Sequence, residues 1–320
     1  MMRVLAGLVV AGMVVAGMMG CGRARTTVAV PVVAETGKAV VAETGKAVVA
    51  EPGKAAQYVG FDRNEYPGDE RLAELHKSFA FAGYWLNVPP GARMNTWGGK
   101  RETLRAAGFG FLVLANGRLD AEILRAKAGG AKAGGAKISP AALGKKDAAE
   151  AIAAAEREEF PEKTILFLDQ EEGGRLLPEQ ADYFFGWTEA VAVSKYRAGA
   201  YLSGQASEDG KGPDGKVLMV TTAQDVREQI AARHLHGVVM WVSQDECGPA
   251  PGCTVQAPRL AESGTLDAPV WQYAQSPRRP ELTRSCAKTY GADGNCYAGV
   301  TKDLFLDLNV ADSADPSGGR

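Results

Sequence analysis

Short apolar runs recur along this chain, and between most of them lie segments whose apolar residues return every three or four positions. The short runs read as strands, at 58–62, 80–86, 109–114, 164–171, 198–203, 237–242, 270–273 and 304–309. The first six enclose five helices. Segment 70–79 sets Leu72, Leu75, His76 and Phe79 on one helical face, and a shorter helix covers 99–107. An alanine-rich helix spans 147–159. Pro178 opens another, burying Ala181, Phe184, Phe185 and Thr188, and Thr222 caps the fifth, which carries Val226 and Ile230. After the sixth strand the helices stop, so the last three strands are joined by loops. Eight strands with about five helices predict an α/β barrel of the TIM type over 57–312, a common size for such a barrel; a doubly wound open sheet is the runner-up.

One run changes the picture from fold to chemistry. Ile165-Leu166-Phe167-Leu168 is apolar throughout, as in a strand covered on both faces, and it leads into Asp169-Gln170-Glu171-Glu172-Gly173-Gly174. Asp169 and Glu171 are two apart and share a face, at the end of a strand where such barrels keep their sites. Carboxyls held together and partly dry separate in pKa, which suits acid/base work on a glycosidic bond. Glu172 points the other way.

Asp62 ends the first strand and Asp307 lies in the eighth, so closure of the barrel brings both to the Asp169–Glu171 pair. Aromatic residues follow the same geography. Trp85, Tyr201, Trp241, Trp271 and Tyr273 fall in or at the ends of strands, and Trp97 sits in the loop Met94-Asn95-Thr96-Trp97. Flat rings beside acids suit sugar stacking, with Gln272 and Asn309 as polar contacts; barrel packing is the alternative for each ring. Arg118 and Asp120, after the third strand, either touch substrate or lock their loop.

The ends of the chain lie outside the barrel. Met1-Met2-Arg3 is a short basic start, and the apolar stretch to Met19 is too short to span a membrane comfortably. Met18-Met19-Gly20-Cys21 resembles the cleavage box of bacterial lipoproteins, with Cys21 the lipidated residue; an ordinary secretory signal is the alternative. Both place the protein outside the cytoplasm, and the first reading makes a lipid anchor its only membrane contact. Residues 22–56 hold a tandem octapeptide beginning at Val32, Val40 and Val48, read as a flexible linker. A second repeat begins at Ala126 and Ala131 and reads as a loop expansion, and 313–320 reads as a disordered tail.

Cys247 with Cys253, and Cys286 with Cys296, are spaced to close two short loops, which predicts disulfides in an oxidising compartment. A metal site is the competing reading, disfavoured because the chain has no C-x-x-C and 3 histidines. The formal net charge of −2 over 320 residues gives no electrostatic case for nucleic acid. No phosphate-binding loop and no G-x-S-x-G elbow is present, so neither a cofactor nor a serine nucleophile is expected.

Taken together, Gly60-Phe61-Asp62, Asp169-Gln170-Glu171, Gly199-Ala200-Tyr201-Leu202-Ser203, Trp271-Gln272-Tyr273 and Asp307-Leu308-Asn309 resemble the glycoside-hydrolase-like barrels related to glycoside hydrolase family 25, the Chalaropsis-type lysozymes. The chain is more similar still to a bacterial group of secreted proteins with a glycoside-hydrolase-like domain of unknown function. The resemblance implies a TIM-type barrel and hydrolysis of peptidoglycan or another polysaccharide, with Glu171 as general acid and Asp169 as its partner. Asp62 and Asp307 match the acids of the first and last strands. Where those lysozymes follow the first aspartate with serine, this chain has Arg63-Asn64-Glu65-Tyr66. The alternative function is a non-catalytic lipoprotein that binds glycan, or a scaffold, on the same barrel.

Overall fold

A computed structural model of the protein describes residues 56–129, 136–244, 257–275, 304 and 306–320. The strands in chain order are β1 Tyr58–Asp62, β2 Phe81–Trp85, β3 Gly110–Asn116, β4 Ile165–Asp169, β5 Arg197–Ser203, β6 Ser207–Lys211, β7 Val217–Val220, β8 Val239–Ser243, β9 Val270–Ala274 and β10 Asp307–Ala311. Eight of them close into a barrel in the order β1-β10-β9-β8-β5-β4-β3-β2, while β6 and β7 form a separate hairpin. The barrel is therefore closed, and the open-sheet alternative is excluded. Every residue of β2, β4 and β9 is buried, because side chains on one face fill the barrel and those on the other meet its outer layer.

Seven barrel strands run parallel. β10 is antiparallel to both neighbours, which overturns the expectation that Asp307 ends a parallel strand. A parallel return needs a long crossover, usually a helix; an antiparallel one does not. Asp307 consequently opens its strand, yet it still reaches the carboxyl-end mouth, paired in register with Asp62.

Helices among the described residues are α1 Leu72–Leu75, α2 Arg101–Ala106, α3 Asp120–Lys127, α4 Pro140–Arg157, α5 Pro178–Ala192 and α6 Thr222–Arg233. The apolar spacing behind α1 is real, since Leu72, Leu75 and Phe79 are all buried, but regular helix ends before His76. α3 was not expected. Its start is fixed by Glu122, whose carboxylate accepts the Leu119 N–H at 3.0 Å. α4 begins seven residues earlier than predicted, with Ser139 as N-cap and Pro140 in the first turn. α6 is capped by Thr221 rather than Thr222; the Thr222 hydroxyl instead donates to the Gly174 carbonyl at 2.9 Å.

α4 and α5 pack with their backbones nearly touching. A Cβ on Gly144 would fall 2.1 Å from the Tyr183 carbonyl oxygen, and one on Gly186 would fall 2.4 Å from that of Ala141. Of the two, α5 packs on the outside of the barrel at β5 and β4, and so backs the acid-bearing strand.

Residues 313–320, expected as a disordered tail, are ordered beneath the amino end of the barrel. Asp315 Oδ1 accepts the N–H groups of Phe111 at 2.8 Å and Gly319 at 3.1 Å, and its Oδ2 accepts that of Arg320 at 3.0 Å. The Ser317 hydroxyl accepts the Val113 N–H, and its carbonyl that of Ile165. The segment is polar because its work is hydrogen bonding to backbone, and composition alone misreads that as disorder. Cys21, Cys247, Cys253, Cys286 and Cys296 lie outside the described residues, as do 1–55, on which the expected signal and most of the expected linker fall.

Candidate active site

Alternation along each strand decides what reaches the interior. Strand pairing matches Asn116 with Asp169, Asp169 with Tyr201, Tyr201 with Trp241, Ser243 with Gln272 and Gln272 with Asn309. Paired residues share a face, so these side chains form one inward ring near the carboxyl ends. Gly83 on β2 leaves space for Asp62, since a Cβ there would lie 2.6 Å from the Cβ of Asp62. The ring opens into a cavity of about 210 Å³ lined by Asp62, Asn64, Trp85, Leu114, Asp169, Glu171, Tyr201, Trp241, Gln272, Gln275 and Asp307. All four predicted acids meet there.

Asp62 is buried, and its Oδ2 accepts two amides: Asn309 Nδ2 at 2.7 Å and Gln272 Nε2 at 3.0 Å. Both amides are oriented from behind. Trp241 Nε1 donates to Asn309 Oδ1 at 2.9 Å, and the Tyr201 hydroxyl donates to Gln272 Oε1 at 2.8 Å. Each carbonyl oxygen is thus occupied and each NH₂ is turned toward the carboxylate. Burial pushes the Asp62 pKa up to about 6; the two amides oppose the rise, and the charge of Glu171 adds to it.

Asp169 is buried still more decisively. Burial raises its pKa well above the usual carboxylate range, and the charges of Glu171 and Asp62 raise it further. The Glu171 side chain beside it and the charge of Asp307 act in the same direction. Glu171 stands at the exposed rim. Burial of its carboxyl raises its pKa as well, the bond from Asp169 opposes this, and the rise is the smaller of the two. Asp169 is therefore the member that holds a proton more tightly, and Glu171 the member that meets solvent.

Other predicted contacts divide cleanly. Trp85, Tyr201, Trp241 and Gln272 line the cavity, and the Tyr201 and Trp241 rings pack edge to face 4.6 Å apart. Asn309 is fully buried behind Asp62 as a support. Trp271 and Tyr273 do not line the cavity. They face outward from β9, where Trp271 Nε1 donates to the Gln244 carbonyl and the two rings pack against each other. The register shifts between Leu308 and Asn309, so that Leu308 pairs with Ala274 and Asn309 with Gln272. Tyr273 is the extra residue of that bulge, which is why the amide and not the phenol turns inward.

Trp97 is fully buried, its indole N–H donating to the Asn64 carbonyl and its ring packed by Tyr66 and Tyr84, so it is a loop anchor rather than a groove residue. Arg118 is tied to Asp147 of α4 by two hydrogen bonds, 2.7 and 3.1 Å, which makes it a loop lock. Glu172 accepts the Asp120 N–H at 2.8 Å and the Gln180 amide at 2.5 Å, away from the cavity. Sequence reasoning missed Asn64, Leu114 and Gln275. Leu114 was legible from strand parity with Asn116; Asn64 and Gln275 sit just past strand ends, where no periodicity points. Among the described residues no cluster of three or more His, Cys, Asp or Glu is arranged to hold a metal ion.

Residues 99–248 match the family model of the Rv2525c-like, glycoside hydrolase-like domain. That span runs from α2 past β8 and includes Asp169, Glu171, Tyr201 and Trp241. Solved structures similar to the chain include an uncharacterized protein of B. stearothermophilus, 17% identical, with a TM-score of 0.48 over 82% of this chain and 100% of that one. The Tat-secreted protein Rv2525c of Mycobacterium tuberculosis is 10% identical, with a TM-score of 0.45 over 79% of this chain and 94% of that one. GHIP, a glycosyl hydrolase 25 of Streptococcus pneumoniae, is 10% identical, with a TM-score of 0.41 over 82% and 89%. No curated protein sequence matches the chain.

Proposed function

We propose that this barrel is a cell-envelope glycosidase acting on peptidoglycan or another polysaccharide. The observation that carries the reading is the meeting of Asp62, Asp169, Glu171 and Asp307 at one cavity, where burial raises the pKa of Asp169 and Glu171. A proton held on the Asp169–Glu171 pair passes through Glu171 to the glycosidic oxygen as the bond to the anomeric carbon breaks; water then bonds to that carbon and returns a proton to the pair. Asp62, ionised above about pH 6 and fixed by Asn309 and Gln272, faces the positive charge that develops on the sugar ring. Trp85, Tyr201, Trp241 and Gln272 hold the sugar, and Asp307 closes the cup. The Met18-to-Cys21 box supports a protein secreted and anchored by lipid on Cys21, outside the cytoplasm.

The test is release of soluble glycan from purified cell walls. The Glu171→Gln variant should lower the rate by about 100-fold or more. Equal release from wild type and variant would remove the role given to Glu171. No release by wild type from any wall or polysaccharide would end the hydrolase reading.

A further inference from the structure

The two amides on Asp62 are directed by unlike partners. A side-chain amide can turn over, exchanging its carbonyl for its NH₂, and only the NH₂ suits an ionised carboxylate. Asn309 is directed by the Trp241 indole, which donates to Oδ1 at 2.9 Å and leaves Nδ2 for Asp62 at 2.7 Å. An indole N–H donates and cannot accept, so it has no bond to offer a reversed Asn309. Gln272 is directed by the Tyr201 hydroxyl at 2.8 Å, and a hydroxyl either donates or accepts. The Tyr201 link is also backed by Gln275, whose Nε2 lies 3.1 Å from Tyr201 Oη and 3.1 Å from Gln272 Oε1. Losing the phenol therefore leaves the Gln272 carbonyl a donor. The Asn309 carbonyl has Trp241 alone among the described residues, and Asn309 is fully buried.

We infer that Trp241 is a positioning residue for the reaction: its indole N–H, the one donor in the described cradle that has no substitute, holds Asn309 with its NH₂ toward Asp62. The inference rests on the glycosidase reading for its consequence, because a charged Asp62 is what faces the developing sugar cation. Without the indole, the buried Asn309 carbonyl lacks a donor, and turning it toward Asp62 becomes favourable once Asp62 carries a proton. Asp62 then holds its proton more tightly and is neutral over more of the pH range. Asp169 and Glu171 at the end of β4, Tyr201 on β5 and Asp307 on β10 are the other titratable groups of the cavity, and none of them makes this bond. Arg63, next in the chain, has its guanidinium on Glu65.

The experiment follows the Asp62 carboxyl by carbon-13 NMR in the substrate-free protein, its signal assigned by its loss in Asp62→Asn, beside the pH profile of glycan release. Trp241→Phe should make Asp62 hold its proton about tenfold more tightly, and the acidic limb of the profile should move with it. Tyr201→Phe should change that affinity by less than about threefold. In an Asn309→Ala background, Trp241→Phe should change nothing further, because the indole acts through the amide. Circular dichroism checks folding. If Trp241→Phe does not fold, the wild-type indole N–H signal decides, since it should titrate at the Asp62 midpoint near pH 6. An unmoved midpoint in Trp241→Phe, an equal effect of Tyr201→Phe, an effect that persists without Asn309, or an indole signal that ignores pH overturns the inference. If the midpoint moves as expected but no glycan is hydrolysed, the control of Asp62 by Trp241 stands and the glycosidase reading falls.

Discussion

At the amino end of the barrel, both oxygens of Asp315 accept backbone N–H groups, three in all, and the strand starts are sealed. At the other end, Asp62 takes two side-chain amides on a single oxygen, and Asp169 is buried among the charges of other carboxyls. The residue type is the same and the barrel is the same. Backbone donors cannot be rotated away and hold a carboxylate permanently, which is structure. Side-chain amides and a neighbouring acid hold it conditionally, in a buried setting that disfavours its charge, which leaves it able to exchange a proton. The two ends thus separate an aspartate that stabilises the fold from aspartates whose placement costs stability.

Four variants press on this contrast. The largest effect belongs to Asp169→Asn, which removes the carboxyl that burial holds most strongly toward its protonated form; glycan release should fall by about 100-fold or more while the melting temperature holds or rises. A release rate near wild type would show that Glu171 works alone. Next is Asp62→Asn. The folded pKa is raised from 3.8 to about 6, so the folded state binds the proton more tightly. Wild-type stability contributed by this group is therefore intact below about pH 4, declines as pH rises to about 6, and stays low above. The variant should gain about 3 kcal/mol at pH 7 and almost nothing at pH 4, read by denaturant unfolding at both pH values.

Asp315→Ala should do the reverse, losing about 2 kcal/mol because the buried Phe111 N–H loses its partner; if it stabilised the protein, the division between the two ends would collapse. The smallest change is Trp271→Phe. It should cost about 1 kcal/mol for the bond to the Gln244 carbonyl and leave glycan release within about twofold, as expected for an outward-facing ring.

Much of the barrel was legible because its strands are short apolar runs with regular spacing. β1 matches its expected span to the residue, and α5 begins at the expected Pro178. Inward parity brought Asp169, Glu171 and Asp62 together on paper as it does in space. What escaped were features without a period. The direction of β10 leaves no mark on its own residues, because the sequence spacing of Asp307 and Asn309 is the same either way. α3 is a helix of eight residues with a single buried side chain, Ile123, too little for an apolar stripe. The hairpin of β6 and β7 was not among the expected strands; most of its residues are exposed, and exposed strands do not alternate visibly. The rings of Trp97, Trp271 and Tyr273 were placed at the site from residue type, and type does not reveal which way a side chain turns.

The bulge at Tyr273 makes the wall of the barrel sensitive to length in a way it is not to substitution. Deleting the codon of Trp271 or of Gln272 would move Tyr273 into the inward place, exchanging an amide for an aromatic ring opposite Asn309 and stripping Asp62 of half its support. Changing several letters there without altering their number would keep the pairing. In this protein the smallest genetic accident that preserves the reading frame would be more damaging than several point changes together.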